Sequence, residues 1–501
     1  MYSDVVIIGG GLGGLSAGTF LSQQGINVTL VEEQPQVGGY AIAFKRDEFI
    51  FDVALHAIPG CAPNQPFHNI LSQLRVTDDL TFIKLKDAFN VYLGNYNFLI
   101  PNNFSDFFIK LIDKFPDEQK GLDQLKGYLN KYGRLYYNVV EGQSNAFNIT
   151  LRFIPKIQDF LKNSQVSTND FLNKFTKNER LKALLYQAAV FFGEPMSEFP
   201  AINFIIMFYL LFTSGMYTIH GGGQALTNVF KDKMLKQDAQ IITGHKIQSI
   251  QINRNLANSV YLDDSLSINC KVVIANVNTP YLVKNLIKSD SFPETYIQLI
   301  NTLKPSLSIL QLHLGLDCNV EDIGINHYLN VFFPSYDIDT SMNNQNNSTI
   351  MEGYSIIAPG INYEDKKSNN HRILSVVGGV SGQDWIKMNS TSYKNLKEKV
   401  IEQILYNLGG KFPDLRRHIK TIDLATPYTF HRYTRNPVGA ILGFKAERGK
   451  HRTLIKVKRF PVKNIFLANA WTNRLGGFMQ TIKSGLIAGQ STIKYLNKYH
   501  I

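Results

Sequence analysis

Gly9, Gly11 and Gly14 stand at the spacing G-x-G-x-x-G, and each position has a mechanical use. The first permits a tight strand-to-helix turn, the second lets the backbone approach a pyrophosphate, and the third lets helix and strand pack closely. The N–H groups around Leu12 and Gly13 open a helix, whose N-terminus carries about half a positive charge toward such an anion. Glu32 and Glu33 close the next strand, and Glu32 is placed to accept hydrogen bonds from a ribose. The chemistry of this constellation is dinucleotide binding.

The elements that must hold it follow in order. Val5-Val6-Ile7-Ile8 is a short apolar run, as a buried parallel strand should be. Leu15, Ala17, Phe20 and Leu21 give a helix face closed by Gly25, and Val28-Thr29-Leu30-Val31 is a second strand. Gly38-Gly39, followed by Tyr40-Ala41, lets the backbone make another close approach to a long cofactor. This pair resembles the second motif of the glutathione-reductase-like flavoproteins, which implies FAD rather than NAD.

The 501 residues are enough for two or more domains, and 44% hydrophobic with 18% charged residues is a folded composition. Cys61, Cys270 and Cys318 form no C-x-x-C pair, so free thiols are expected, with no structural zinc and no other metal. A strand beginning by Val5 leaves no room for a signal peptide, so the expected location is the cytoplasm or its membrane surface. The net charge is +12, and no nucleic-acid motif accompanies it. Part of it lies in Lys445, Arg448, Lys450, Arg452, Lys456, Lys458, Arg459 and Lys463. Two readings of that stretch stay open, a solvated hairpin and a surface for a membrane or an anionic ligand. Residues 64–200 read as mixed helix and loop. The uncharged stretch from Phe199 to Ile219 reads as a core or cavity-lining helix rather than a membrane span, because cofactor motifs lie on both sides of it. A shallow membrane-dipping surface is the open alternative.

Further pieces lie far along the chain. His220-Gly221-Gly222-Gly223-Gln224 opens a helix, and residues 246–250 alternate as a strand. Val272-Val273-Ile274-Ala275-Asn276 is a buried strand ending in small residues. Val376 to Gly382 lacks the dinucleotide spacing and reads as a strand and turn. Thr426-Pro427-Tyr428-Thr429, Arg432-Tyr433-Thr434-Arg435-Asn436-Pro437 and Gly439 precede Asn469-Ala470-Trp471-Thr472, then Gly476-Gly477-Phe478 on a last helix. With Phe51-Asp52 and His56, these blocks resemble the phytoene desaturase, carotenoid isomerase and retinol saturase group of flavoproteins. Three positions depart from the group's pattern. Asn469-Ala470 stands for a small-acidic pair, Arg474-Leu475 for Pro-Gly, and Tyr40 for an arginine.

The resemblance implies an α/β fold with a glutathione-reductase-like Rossmann FAD-binding domain assembled from separated segments (1–75, 216–285 and 431–501). A mixed α+β substrate domain (76–215 and 286–430) is inserted. It implies cofactor contacts at Gly9, Gly11, Leu12, Gly13, Gly14, Glu32, Glu33, Gly38, Gly39, Tyr40, Ala41, Ile247, Ala275, Asn276, Asn469, Ala470, Gly477, Phe478 and Met479. Amides near Phe478 and Met479 would stabilise negative charge on a reduced flavin. His56 is an acid-base candidate or a core histidine. Trp471 stacks near the flavin or is core. Arg432 and Tyr433 shape a substrate tunnel or pack in a strand. The implied activity is FAD-dependent redox or cis–trans isomerisation at C=C/C–C bonds of an apolar polyene or isoprenoid-like small molecule. Two alternatives stay open, a flavin oxidase of an amine or carrier-bound metabolite and a non-catalytic flavin- or lipid-binding protein in peripheral membrane contact. Oligomeric state is not legible.

Overall fold

A computed structural model describes residues 1–54, 57–141, 159, 162–263, 266–287, 292–364, 368–472 and 476–499. Two seven-stranded sheets organise it. In the first, strands Gln240–Thr243, Val28–Glu32, Tyr2–Ile8, Ser267–Ala275 and Ile465–Leu467 run parallel, and Leu256–Leu262 and Ile247–Asn253 add an antiparallel meander. Val5 sits opposite Val28 on one side and Val272 on the other. Alternate residues serve two cores: Val5 and Ile7 pack with helix Leu12–Ser22, Val6 and Ile8 with the meander. This two-sided burial is why the strand reads as an unbroken apolar run.

Strand Ser267–Ala275 changes partner along its length. Its early residues pair with Leu256–Leu262 and its late ones with Ile465–Leu467. Asn464 holds that fork: its side-chain amide donates to the carbonyls of Ala257 and Lys271, both at 2.7 Å, and accepts from Ala257 N–H at 2.8 Å. The C-terminal helix Gly477–Tyr499 then crosses helix Leu12–Ser22 at close range. A Cβ on Gly485 would overlap the Gly13 carbonyl, and Ser16 Oγ donates to the Ile482 carbonyl at 2.8 Å. Small residues at this crossing bring the two ends of the chain to one place.

The second sheet orders Ile419–Ala425, Ser308–Leu316, Ile373–Val380, Tyr354–Ile357, Leu329–Phe333, Asp87–Leu93 and Tyr96–Pro101. Leu310, Leu312 and Leu314 face helix Ser390–Gly409 and the buried Trp385. Ile309, Gln311 and His313 face the other way. The Val376–Gly382 stretch supplies its strand Ile373–Val380.

Three local expectations are corrected. Residues 64–200 are not only helix and loop, because Asp87–Leu93 and Tyr96–Pro101 form a hairpin turned by Gly94 at φ +60°. The basic stretch is not a hairpin but a strap leading into helix His451–Lys458. Arg432 and Tyr433 lie on helix Pro427–Thr434, started by a Thr426–Thr429 capping box, and not in a strand. The apolar stretch forms helix Ala201–Ser214, largely buried, and strand Met216–Ile219. Among the described residues no helix is long and apolar enough to cross a membrane.

Candidate active site

A cavity of about 1080 Å³ runs from the glycine loop to the face of the second sheet that carries Ile309, Gln311 and His313. At one end two backbone turns lie back to back. Gly9 N–H donates to the Val31 carbonyl at 2.8 Å, and Gly38 N–H to the Gly10 carbonyl at 2.7 Å. Gly39 has φ +60°, and a Cβ there would meet Gly11 Cα at 3.2 Å. The cavity wall here is bare main chain at Gly9, Gly11, Gly38 and Gly39. Such a cradle fits the pyrophosphate of a dinucleotide and leaves no space for side chains.

Glu32 lines the same end. Its carboxylate accepts from Gly10 N–H at 2.6 Å and Gln34 N–H at 2.8 Å, and burial pushes its pKa up despite both bonds. Glu33 forms an ion pair with Arg435, which caps its helix at φ +59°. Leu12, Ile247 and Asn276 also line the cavity. Gly13, Gly14, Ala41 and Ala275 do not; they sit behind the wall. A Cβ on Gly13 would overlap the Ala468 carbonyl, so that glycine serves helix packing. Ala41 and Ala275 are fully buried and offer carbonyls, to Thr227 Oγ1 at 2.6 Å and to Ala468 N–H at 2.9 Å.

The departures from the family pattern have structural employment. Asn469 is buried; its amide donates to the Val277 carbonyl at 2.7 Å and accepts from Trp471 N–H at 3.0 Å, tying two strand ends together. Ala470 lines the cavity beside it. Tyr40 lines it too, and its hydroxyl accepts from Asn436 Nδ2 at 3.2 Å. The Trp471 indole donates to Asn436 Oδ1 at 3.2 Å and meets Phe444 edge-on at 4.8 Å. Asn436 therefore joins the Tyr40 turn to Trp471, a role its sequence motif did not disclose. Gly477, Phe478 and Met479 line the cavity at the start of the last helix, where first-turn amides lack intrahelical partners. Arg432 and Tyr433 are exposed at its rim, the guanidinium 5.6 Å from the ring centre. His56 and Arg474-Leu475 lie outside the described residues.

The far part of the cavity is apolar. Met207, Leu210 and Leu211 from helix Ala201–Ser214 face Leu329, Val331 and Phe333 of the sheet. Gln311, His313 and Asp423 also line it, and sequence reasoning missed all three. The available signal was a polar pair, Gln311 and His313, at alternate positions among the leucines of the strand Ser308–Leu316. His313 Nδ1 lies 3.0 Å from Ser375 Oγ, and Asp423 is paired with Arg46 at 2.5 Å. Among the described residues one group of metal-capable side chains gathers just past the end of the same strand. Asp317, Cys318 and His418 bring ligand atoms within 4.8 Å of one another, but Asp317 is already held by His418 at 2.7 Å and Lys420 at 2.8 Å.

Fold and cradle together define a dinucleotide-binding flavoprotein. The chain belongs to the flavin containing amine oxidoreductase family, whose model matches residues 12–491. It is an FAD-dependent oxidoreductase. It is 23% identical to an all-trans-retinol 13,14-reductase from Danio rerio, over 97% of this chain and 85% of that one. It is 25% identical to a chloroplastic prolycopene isomerase from Daucus carota (86% and 70%) and 22% identical to a 4,4'-diaponeurosporene oxygenase from Staphylococcus aureus (97% and 97%). These relatives fall in the group that the C-terminal motifs resemble. Among solved structures, a putrescine oxidase bound to putrescine matches with TM-score 0.67 at 14% identity, over 99% of both chains. An oxidoreductase from Methanosarcina mazei matches with TM-score 0.62 at 15% identity, over 97% of this chain and all of that one. These likenesses show the fold.

Proposed function

We propose that this enzyme acts on C=C/C–C bonds of an apolar polyene or isoprenoid-like substrate, by desaturation, saturation or cis–trans isomerisation. The observation that carries the reading is the continuity of the glycine cradle with a large apolar chamber. The named activities of the sequence relatives support it.

FAD held at the glycine cradle would supply the redox capacity, as an acceptor or donor of hydride. The chain's own residues bind and orient. We assign the pyrophosphate to the Gly9–Gly11 and Gly38–Gly39 main chain, the ribose to Glu32, and the adenine to the backbone near Ile247. The first-turn amides at Phe478 and Met479 are assigned to stabilising negative charge on the ring. Met207, Leu210, Leu211, Leu329 and Val331 exclude water and hold the substrate by apolar contact. We assign the cofactor domain to 1–75, 216–285 and 431–501, and the substrate domain to 76–215 and 286–430. The first sheet draws all its strands from the former set.

Amine oxidation is the weaker reading. An uncommitted carboxylate is the strongest partner for an ammonium substrate, and the described carboxylates lining the cavity are Glu32, Glu33 and Asp423. The last two are paired with Arg435 and Arg46, and Glu32 lies at the cradle. In the basic strap Lys445 is taken up by Glu194 at 2.7 Å and Glu198 at 3.0 Å, which withdraws that one lysine from any membrane contact. The test is anaerobic incubation of purified holoenzyme with a panel of polyenes and with putrescine, followed by product chromatography. A changed polyene supports the reading; amine turnover with every polyene intact overturns it.

A further inference from the structure

Gln311 is fully buried on the strand Ser308–Leu316, on the face that lines the chamber. Neither its Nε2 nor its Oε1 has a hydrogen-bond partner among the described residues. Its neighbours in register are Ala425 on one side and Val377 on the other, and neither side chain offers a polar atom. Two other polar groups of this wall are committed. Gln345 donates to the Gly353 carbonyl at 2.8 Å, and His313 sits 3.0 Å from Ser375 Oγ with its ring against Phe44 and Phe51.

A buried amide without partners is unfavourable, and native interiors retain few. One retained on the wall of a ligand chamber points to the ligand as its partner. The chemistry of the amide narrows the choice. A hydroxyl accepts from Nε2–H and donates to Oε1, so a single atom satisfies both ends. A ketone or aldehyde meets only Nε2, and a hydrocarbon meets neither.

We propose that Gln311 anchors a hydroxyl group of the substrate, so that the enzyme selects a hydroxyl-bearing polyene over the corresponding hydrocarbon. This rests on the polyene reading above. The anchor is a specificity determinant: it fixes which segment of the chain lies over the cradle end and takes no part in bond making.

The experiment compares a polyene alcohol with its deoxy analogue, identical except for CH₃ in place of CH₂OH. Both are measured on the wild-type holoenzyme and on Gln311→Met, by equilibrium perturbation of the flavin spectrum and by kcat/KM. The wild type is expected to favour the alcohol at least tenfold, about 1.4 kcal/mol. Gln311→Met is expected to lose that preference while holding or improving its handling of the hydrocarbon. The thermal midpoint of the substrate-free variant is expected to hold or rise, because an unpaired amide has been removed. Equal handling of both ligands by the wild type overturns the anchor alone, as does a preference that survives Gln311→Met. A fallen midpoint overturns it too, since the amide then has a partner within the protein. If the wild type binds and converts neither polyene, the polyene reading itself has failed and the anchor falls with it.

Discussion

Asn276 donates its Nδ2 hydrogen to the Gly9 carbonyl at 3.1 Å, which puts its amide beneath the whole glycine loop. A Cβ on Gly11 would meet that Nδ2 at 2.8 Å, and one on Gly13 would meet Oδ1 at 2.6 Å. The loop is thus bare on both sides, toward the cavity and toward Asn276. Gly11→Ala is expected to cost about 1–3 kcal/mol by overpacking and to lower bound flavin. In an Asn276→Ala background the added cost of Gly11→Ala should shrink, because its obstacle has gone. Thermal midpoints and flavin content of the four proteins check this coupling. Additive effects would show that the clash lies elsewhere.

Asn469 carries a prediction about the family departure. Asn469→Asp replaces the donor 2.7 Å from the Val277 carbonyl with an oxygen. Two acceptors then face each other in a buried place, and a loss of about 2–4 kcal/mol follows. A denaturant titration reads it. An unchanged midpoint would mean that the strand ends are not held by this amide.

Asp52 is half-buried, and loss of water around it lifts its carboxyl to about 6 while the Gly223 N–H, at 3.0 Å, pulls the other way. A carboxyl raised in the folded state favours folding fully below its unfolded pKa, near 4. That contribution is lost as pH rises through about 6 and amounts to about 3 kcal/mol. Relative to Asp52→Asn, the wild type should therefore lose stability between pH 4 and 7. Denaturation of both proteins across that window tests the sign; parallel curves would contradict it.

Lys445 clasps the strap to the chamber wall through Glu194 and Glu198. Burial still pushes Glu194 up to about 7. Lys445→Met leaves that carboxylate uncompensated and should cost about 3 kcal/mol at pH 8. The loss should be smaller at pH 6, where Glu194 takes up a proton. A pH-independent loss would assign the effect to packing of the lysine stem instead.

Local features were legible in the chain and long-range register was not. The Val5–Ile8 run, the glycine loop and the acidic strand end are contiguous, so their geometry follows from neighbours. The helix Gly477–Tyr499 was legible from its glycine pair and the motif resemblance. The chamber was not, because its wall depends on register among strands from residue 308 to residue 425. Gln311 looks like a flaw in an apolar strand until Ala425 and Val377 are seen beside it. Gly13 and Asn469 show the converse limit. A motif placed them at the site, and packing against Ala468 and Val277 gives them their work.

The proposed meeting of a polyene with FAD in the chamber that opens from the glycine cradle is open to direct test. Its most direct measurement is the absorption of a conjugated polyene mixed anaerobically with holoenzyme, with the flavin first oxidised and then chemically reduced. A shift of the polyene band is expected with one flavin state or the other, lost when Leu211→Trp fills the chamber. Polyene spectra unchanged by both states of the holoenzyme would contradict it.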